Sequence, residues 1–316
     1  DSAVTRGGFA IMLANLLYNG IEAEGALSSS FTDINPDMEC YGAVSFLEGL
    51  KVVRGNVSGK FNPDSQITLI DAVVMVIRAL GYDIYAQAEG GYTVGYHNVA
   101  RKIFLTEQIS WANSLLDSKT AAKLLYNALF VSSVEFSYMD DNDIQLSIDH
   151  SQDFLARHMG IKLHKAQIIH DGMRSFDNSG LLENQMILKD ADTQEELLVN
   201  CSDLSYSDFF GCYVDAFIRY DESGKKELIN CRLNNNVKIT EIDAEDMLNP
   251  SLSSVEYEYG EDGKTKTLNF DTSSVYIFVN GVKAERFSDT MVKPQFGFTT
   301  FVDNNTDGKA DVIFVN

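Results

Sequence analysis

Basic residues are scarce in this sequence: 25 Lys plus Arg stand against 46 Asp plus Glu, and the formal net charge is −21. Nucleic acid and anionic membrane surfaces are therefore poor bulk partners, because phosphate binding needs a basic patch from which counterions are released. An anionic ligand has to meet a local exception to that balance. Long apolar runs are absent as well, and no stretch approaches the about 20 uninterrupted apolar residues of a membrane span. Membrane insertion is not expected. The four cysteines, Cys40, Cys201, Cys212 and Cys231, show no CxxC spacing, which removes the zinc and thioredoxin signatures. No GxSxG, HExxH, P-loop or GxGxxG stands in a strand-helix context, so an enzyme is not the first expectation. No signal peptide is present, and the chain opens at Asp1 without an initiator Met, as a processed or trimmed chain does.

What is present begins with a helix that is apolar on almost every side. In "GKFNPDSQITLIDAVVMVIRALGY" (59–82) a polar lead-in gives way to Ala72 through Ile77 without a charge before Arg78. Such a helix must be enclosed by partners. Two similar segments supply them: "TRGGFAIMLANLL" (5–17) aligns Thr5, Met12 and Leu17 with Thr68, Met75 and Leu80, and "DSKTAAKLLYNAL" (117–129) aligns Asp117, Leu124 and Leu129 with the same positions. Self-similarity at this period predicts stacked units sharing one core, a bundle of three helices.

From about residue 131 the texture changes to short alternating runs, among them "KLHKAQIIH", "CYVDAFIRY", "KELINCRL", "VYIFVNG" and "ADVIFVN". Broken by "DESGKK", "GEDGK" and "NTDGK", they read as antiparallel hairpins, with a short helix near "DAEDML". The fold class is α+β and multidomain: an all-α module over 1–130, then an antiparallel β-rich domain of small barrel or sandwich type over 131–245, with 246–316 as a second, hairpin-rich domain or a continuation of it. The acidic stretch "SSVEFSYMDDNDIQ" is the expected junction, either as a linker or as a turn inside a domain. Cys212 and Cys231 fall on the apolar faces of two neighbouring strands, where a disulfide and two buried thiols are both open.

"FTDI", "YGAVSFLEGLKVVRG", "GKFNPDSQIT" and "TRGG" together resemble the S-layer homology repeat of bacterial surface proteins. The resemblance covers about residues 1–130, as a partial first repeat (1–20), a second (31–81) and a third (91–130). It implies a pseudo-threefold, three-pronged helical module whose grooves hold anionic secondary cell-wall polysaccharide without a covalent bond. It implies also a secreted protein of a Gram-positive-type cell wall or S-layer; self-assembly at the surface is a further partner relation on which the resemblance is silent. Family members read Thr-Arg-Ala-Glu at the start of the bundle helix, where Thr caps the helix and the acid completes a capping box. Here Thr68 and Asp71 keep that pair. The Arg, which sets a cation beside the N–H groups and positive dipole end of a helix, is kept only as Arg6; Leu69 and Ser118 replace it in the other two repeats, and Gly8 replaces the acid in the first. One typical polysaccharide site is therefore expected, from Arg6 with Asp33, Gly49 and Gly55, and with Trp111 as an aromatic that stacks on sugar or packs in the core. The alternatives are a wall-tethered enzyme with its site in the β-region, and a degenerate module that serves only as a protein-protein contact.

One further candidate is "DNNTDGKAD" (303–311), which places Asp303, Asn305, Asp307 and Asp311 at alternate positions of a calcium loop around Gly308. Position 12 is Phe314 rather than a bidentate Glu, and Asn, Asp and Gly are equally what a hairpin turn requires. No other cofactor is expected. His158, His164 and His170 recur at intervals of six, but without a Cys or carboxylate at ligand spacing they read as surface or half-buried strand residues.

Overall fold

The computed structural model describes residues 2–18, 28–111, 115–140, 143–260 and 263–316. The ends of the partial first repeat (1, 19 and 20) and the tips of the acidic turns at 141–142 and 261–262 lie outside the described residues. The chain divides into two compact units, Asp1–Gly160 and Ile161–Asn316: helices come first, and a strand-rich region with several sheets follows.

In the first unit the helices are α1 (Arg6–Tyr18), α2 (Tyr41–Gly49), α3 (Leu69–Ala79), α4 (Asp83–Ala88), α5 (Val94–Lys102) and α6 (Ser118–Ala128). Each of α1, α3 and α6 touches the other two, and α3 is buried from Ala72 through Ile77, as a helix without a polar face must be. Their starts are built alike. The hydroxyl of Thr5 accepts from Gly8 N–H (3.0 Å), that of Thr68 from Asp71 N–H (3.2 Å), and the carboxylate of Asp117 from Thr120 N–H (2.7 Å), so each satisfies one of the N–H groups a helix start leaves unpaired. One residue earlier the three lead-ins close a ring of backbone hydrogen bonds. Val4 N–H donates to the Leu116 carbonyl (3.0 Å), Leu116 N–H to Ile67 (2.9 Å), and Ile67 N–H back to Val4 (3.1 Å). All three side chains are buried.

The same unit runs on past residue 131, through an antiparallel hairpin of β1 (Ser132–Asp140) and β2 (Asp143–Asp153) and a short helix α7 (Phe154–Met159), and ends at Gly160 in a left-handed conformation, φ +63°. The N–H groups of Phe154 and Leu155 donate to the carbonyls of Val131 and Leu129, fastening α7 to the end of α6.

In the second unit β3 (Ile161–His170), β4 (Gln185–Asp190), β5 (Glu196–Asn200), β6 (Tyr213–Tyr220) and β7 (Lys226–Leu233) close a barrel in the order β3-β4-β5-β7-β6. Alternation fills it: Met186 and Leu188, Leu197 and Val199, and Val214, Ala216 and Ile218 are buried while their neighbours along each strand are less so. The remaining strands are β8 (Lys238–Asp243), β9 (Met247–Pro250), β10 (Ser254–Tyr259), β11 (Lys264–Phe270), β12 (Tyr276–Val279), β13 (Val282–Lys283), β14 (Phe298–Asp303), β15 (Lys309–Ala310) and β16 (Val312–Val315). They form one sheet ordered β13-β12-β16-β14-β8 and another ordered β15-β11-β10-β9. Phe278, Val302 and Val312 of the first sheet join the barrel's apolar cluster.

One expectation is corrected here, and one alternative left open is decided. "DAEDML" is not a short helix: Ala244–Asp246 is the turn between β8 and β9, and Met247 is buried in the sheet core, so strand pairing overrides a weak helical preference. Cys212 and Cys231 form no disulfide; all four cysteines are free and buried.

Candidate functional site

Arg6 opens α1, and the loop before α3 docks against that helix start: Arg6 N–H donates to the Ser65 carbonyl and Gly7 N–H to the Pro63 carbonyl, both at 2.8 Å. The first N–H groups of α1 are thereby occupied. The charge offered at this place comes from side chains rather than from the bare end of the helix. The Arg6 guanidinium lies over the Phe61 ring, 4.8 Å from its centroid, and donates through Nη2 to the Arg54 carbonyl (3.2 Å). Burial draws its pKa down from the usual arginine value, and the neighbouring Asp71 carboxylate opposes that shift.

A layered support stands beneath it. Asp33 accepts from the N–H groups of Phe61 (2.8 Å) and Asn62 (2.7 Å), which fixes the loop that carries Phe61. Burial raises the Asp33 carboxyl, but these backbone donors outweigh it and leave the pKa below the ordinary value. Phe31 stacks on Phe61 with centroids 5.6 Å apart. Gly55 lets Phe31 in, since a Cβ there would meet its Cε1 at 2.9 Å. Gly55, Phe31, Phe61 and Arg6 are thus successive layers.

Above them opens a cleft of about 310 Å³ lined by Arg6, Arg54, Gly55, Asn56, Lys60 and Asp71 among others. Three cations face one carboxylate, in a chain whose overall balance is strongly acidic. Arg54 also reaches Asp83 at 3.5 Å, an exposed pair that binds it only weakly. Tyr92 donates its hydroxyl to Asp71 (3.3 Å).

Of the residues expected at a polysaccharide site, Arg6 and Gly55 line this cleft. Asp33 supports it from behind. Gly49 ends α2 with open space around its Cα and does not line it. Trp111 does not line it either; its ring lies 4.6 Å from that of His97, against the helical core. At the equivalent helix starts Leu69 is buried and Ser118 carries no charge. Sequence reasoning missed Arg54, Asn56 and Lys60. Their signal was the two cations bracketing the "RGNVSGK" turn in an acidic chain.

In the 303–311 loop the carboxylates are engaged by the loop's own backbone: Asp303 accepts from Asn305 and Gly308 N–H, Asp307 from Lys309 N–H, and Asp311 from Asn304 N–H, at 2.8–3.2 Å. Asn305 caps Asp307 N–H in the same way (2.9 Å). Burial, helped by Asp307 and Asp303, raises the Asp311 carboxyl. Among the described residues no group of three or more His, Cys, Asp or Glu is arranged to hold a metal ion. Two of the three histidines are spent on structure: His164 bridges Asp190 (2.7 Å) and Tyr220 (2.9 Å), and the buried His170 bridges Gly180 and Gly172.

Residues 30–73 match the S-layer homology domain. Over 340 aligned residues the chain is 24% identical to the "Middle cell wall protein" of Brevibacillus brevis, a match covering 98% of this chain and 30% of that protein. Over 188 residues it is 25% identical to the "Surface layer protein" of Brevibacillus choshinensis, covering 58% of this chain and 16% of that protein. The chain thus spans less than a third of the length of these relatives. The matched segment contains Phe31, Asp33, Arg54, Gly55, Lys60 and Phe61, which line or support the cleft beside Arg6.

Proposed function

We propose that the helical unit is a pseudo-threefold S-layer homology module over residues 1–130, its first repeat partial, that holds an acidic wall polysaccharide in the Arg6 cleft. The chain is a secreted cell-wall protein, and on this reading the cleft is its non-covalent attachment. The ring through Val4, Ile67 and Leu116 and the matching caps at Thr5, Thr68 and Asp117 support the threefold part. The observation that carries the binding part is the convergence of Arg6, Arg54 and Lys60 on one cleft of a chain with net charge −21. A carboxylate-bearing sugar meets there a guanidinium fork already oriented by Phe61. With Leu69 and Ser118 at the other two starts, the module has one such site rather than three. The β-rich unit is then displayed outward as a spacer, adhesion or assembly element. Neither relative is named as an enzyme.

The test is co-sedimentation of the chain with isolated Gram-positive cell walls carrying acidic polysaccharide, beside the same walls stripped of it. The parent should sediment with the first and not the second, and Arg6→Ala should stay in the supernatant. Equal sedimentation of Arg6→Ala and parent removes the cleft from the reading.

A further inference from the structure

We propose a second anion-binding site, in the β-rich unit, formed by Lys238, Lys266 and Lys309 around a cavity of about 260 Å³ and suited to a sugar that carries a carboxylate or phosphate. Three strands bring these lysines together. Lys238 opens β8 opposite Asp303 of β14, Lys266 sits in β11 opposite Tyr257, and Lys309 opens β15 beside Asn269 of β11. The ammonium of Lys266 is held over the Tyr259 ring, 3.8 Å from its centroid. Among the described residues neither Lys238 nor Lys309 closes an ion pair.

Charge is what singles the place out. Three of the chain's 25 cations line one small cavity together with a single carboxylate, Asp303, which is already committed to the N–H groups of Asn305 and Gly308. The balance here is the reverse of that of the whole chain. Like charges gathered on one cavity repel one another, and a bound anion relieves them. The walls favour a sugar over a bare ion: Phe301 and Ala310 offer a buried apolar floor to the flat face of a ring, while Thr240, Thr267 and Tyr257 bring hydroxyls for its polar edge. The proposal is independent of the Arg6 cleft.

It is tested by calorimetric titration of the full chain in the Arg6→Gln background, which removes the oriented guanidinium of the helical cleft, with D-glucuronate, D-glucose 6-phosphate and D-glucose. The expected result is saturable, millimolar binding of at least one anionic sugar, none of neutral glucose, and weakening as salt is raised. Whichever of the two anionic sugars binds tells carboxylate from phosphate. Adding Lys238→Gln and Lys309→Gln should weaken that binding by about tenfold or more with the melting temperature unchanged, since both side chains are exposed. No saturable heat with either anionic sugar, or an isotherm indifferent to both substitutions and to salt, overturns the site. So does self-association that needs these lysines without any sugar binding, which makes the surface a contact between copies. Wall sedimentation with Lys238→Gln and Lys309→Gln in place reads only the helical cleft, so failure of one reading leaves the other measurable.

Discussion

Arg6 presents the flat face of its guanidinium to Phe61 at 4.8 Å while the edge of the same group donates to the Arg54 carbonyl. Two constraints on one planar group fix its orientation before any ligand arrives, and preorganisation of this kind lowers the cost of binding. Charge alone would not do so. Arg6→Lys keeps the cation and loses the fork and the stacking plane. It should therefore bind cell wall about tenfold more weakly than the parent at fixed salt, between parent and Arg6→Ala. Sedimentation across a wall titration measures this; lysine matching arginine would mean that net charge suffices.

Asp33 is expected to matter for stability before it matters for ligand. Removing its carboxylate leaves the Phe61 and Asn62 N–H groups without their acceptor. Asp33→Ala should cost about 1–2 kcal/mol, lowering the melting temperature by about 2–4 °C per kcal/mol. The folded carboxyl titrates below its ordinary value of 3.8, so its contribution is fully present above that value and is lost as pH falls through the lower folded pKa. The gap in melting temperature between parent and Asp33→Asn should close on acidification below pH 4. A gap that persists there would mean that shape rather than charge holds the loop.

Part of this was legible in the sequence. The three helix starts align because each needs a cap at the same place, and the residues just before those caps, Val4, Ile67 and Leu116, are the ones that bond in a ring. Arg6 stood out as the only arginine at the second position of the three aligned helix starts, where Leu69 and Ser118 stand in the others. Arg54 and Lys60 did not, because they sit on a loop without period, and only folding carries them 48 or more residues back to Arg6. Strand alternation announced the barrel's strands but not their closure, which depends on a single parallel contact of β5 with β7 at Asn200 and Glu227. "DAEDML" misled because three acids beside Ala and Leu read as helix, whereas the sheet needed a turn there.

Two glycines that the family resemblance treats alike should behave oppositely. Gly55→Ala drives a methyl to within 2.9 Å of Phe31, which is buried and stacked on Phe61. A loss of about 1–3 kcal/mol and weaker wall binding through displacement of the Arg6 support are expected. Gly49→Ala meets nothing within 4 Å at the end of α2 and should stabilise by up to about 1 kcal/mol with binding unchanged. Thermal melts and sedimentation of both variants decide; a binding defect in Gly49→Ala with normal stability would return that residue to the site.

The thiols of Cys212 and Cys231 are pushed up by burial to about 12, from an ordinary value of 9.0. Thiolate is the reactive form, so neither should react with an alkylating reagent in the native protein at neutral pH, and both should react at once in denaturant. Because the unfolded chain loses these protons near pH 9 while the folded chain keeps them to about 12, stability should be complete below pH 9 and fall as pH rises through that interval. Replacing Cys212 by Ala removes one such group, so the melting temperature should decline less steeply with pH over that range. The packing loss at neutral pH, about 1 kcal/mol, should not depend on pH. Melts between pH 7 and pH 11 separate the two effects. A parallel offset across the whole range would show that Cys212 ionises alike in both states, and rapid labelling of the native chain would show the barrel interior open to reagent.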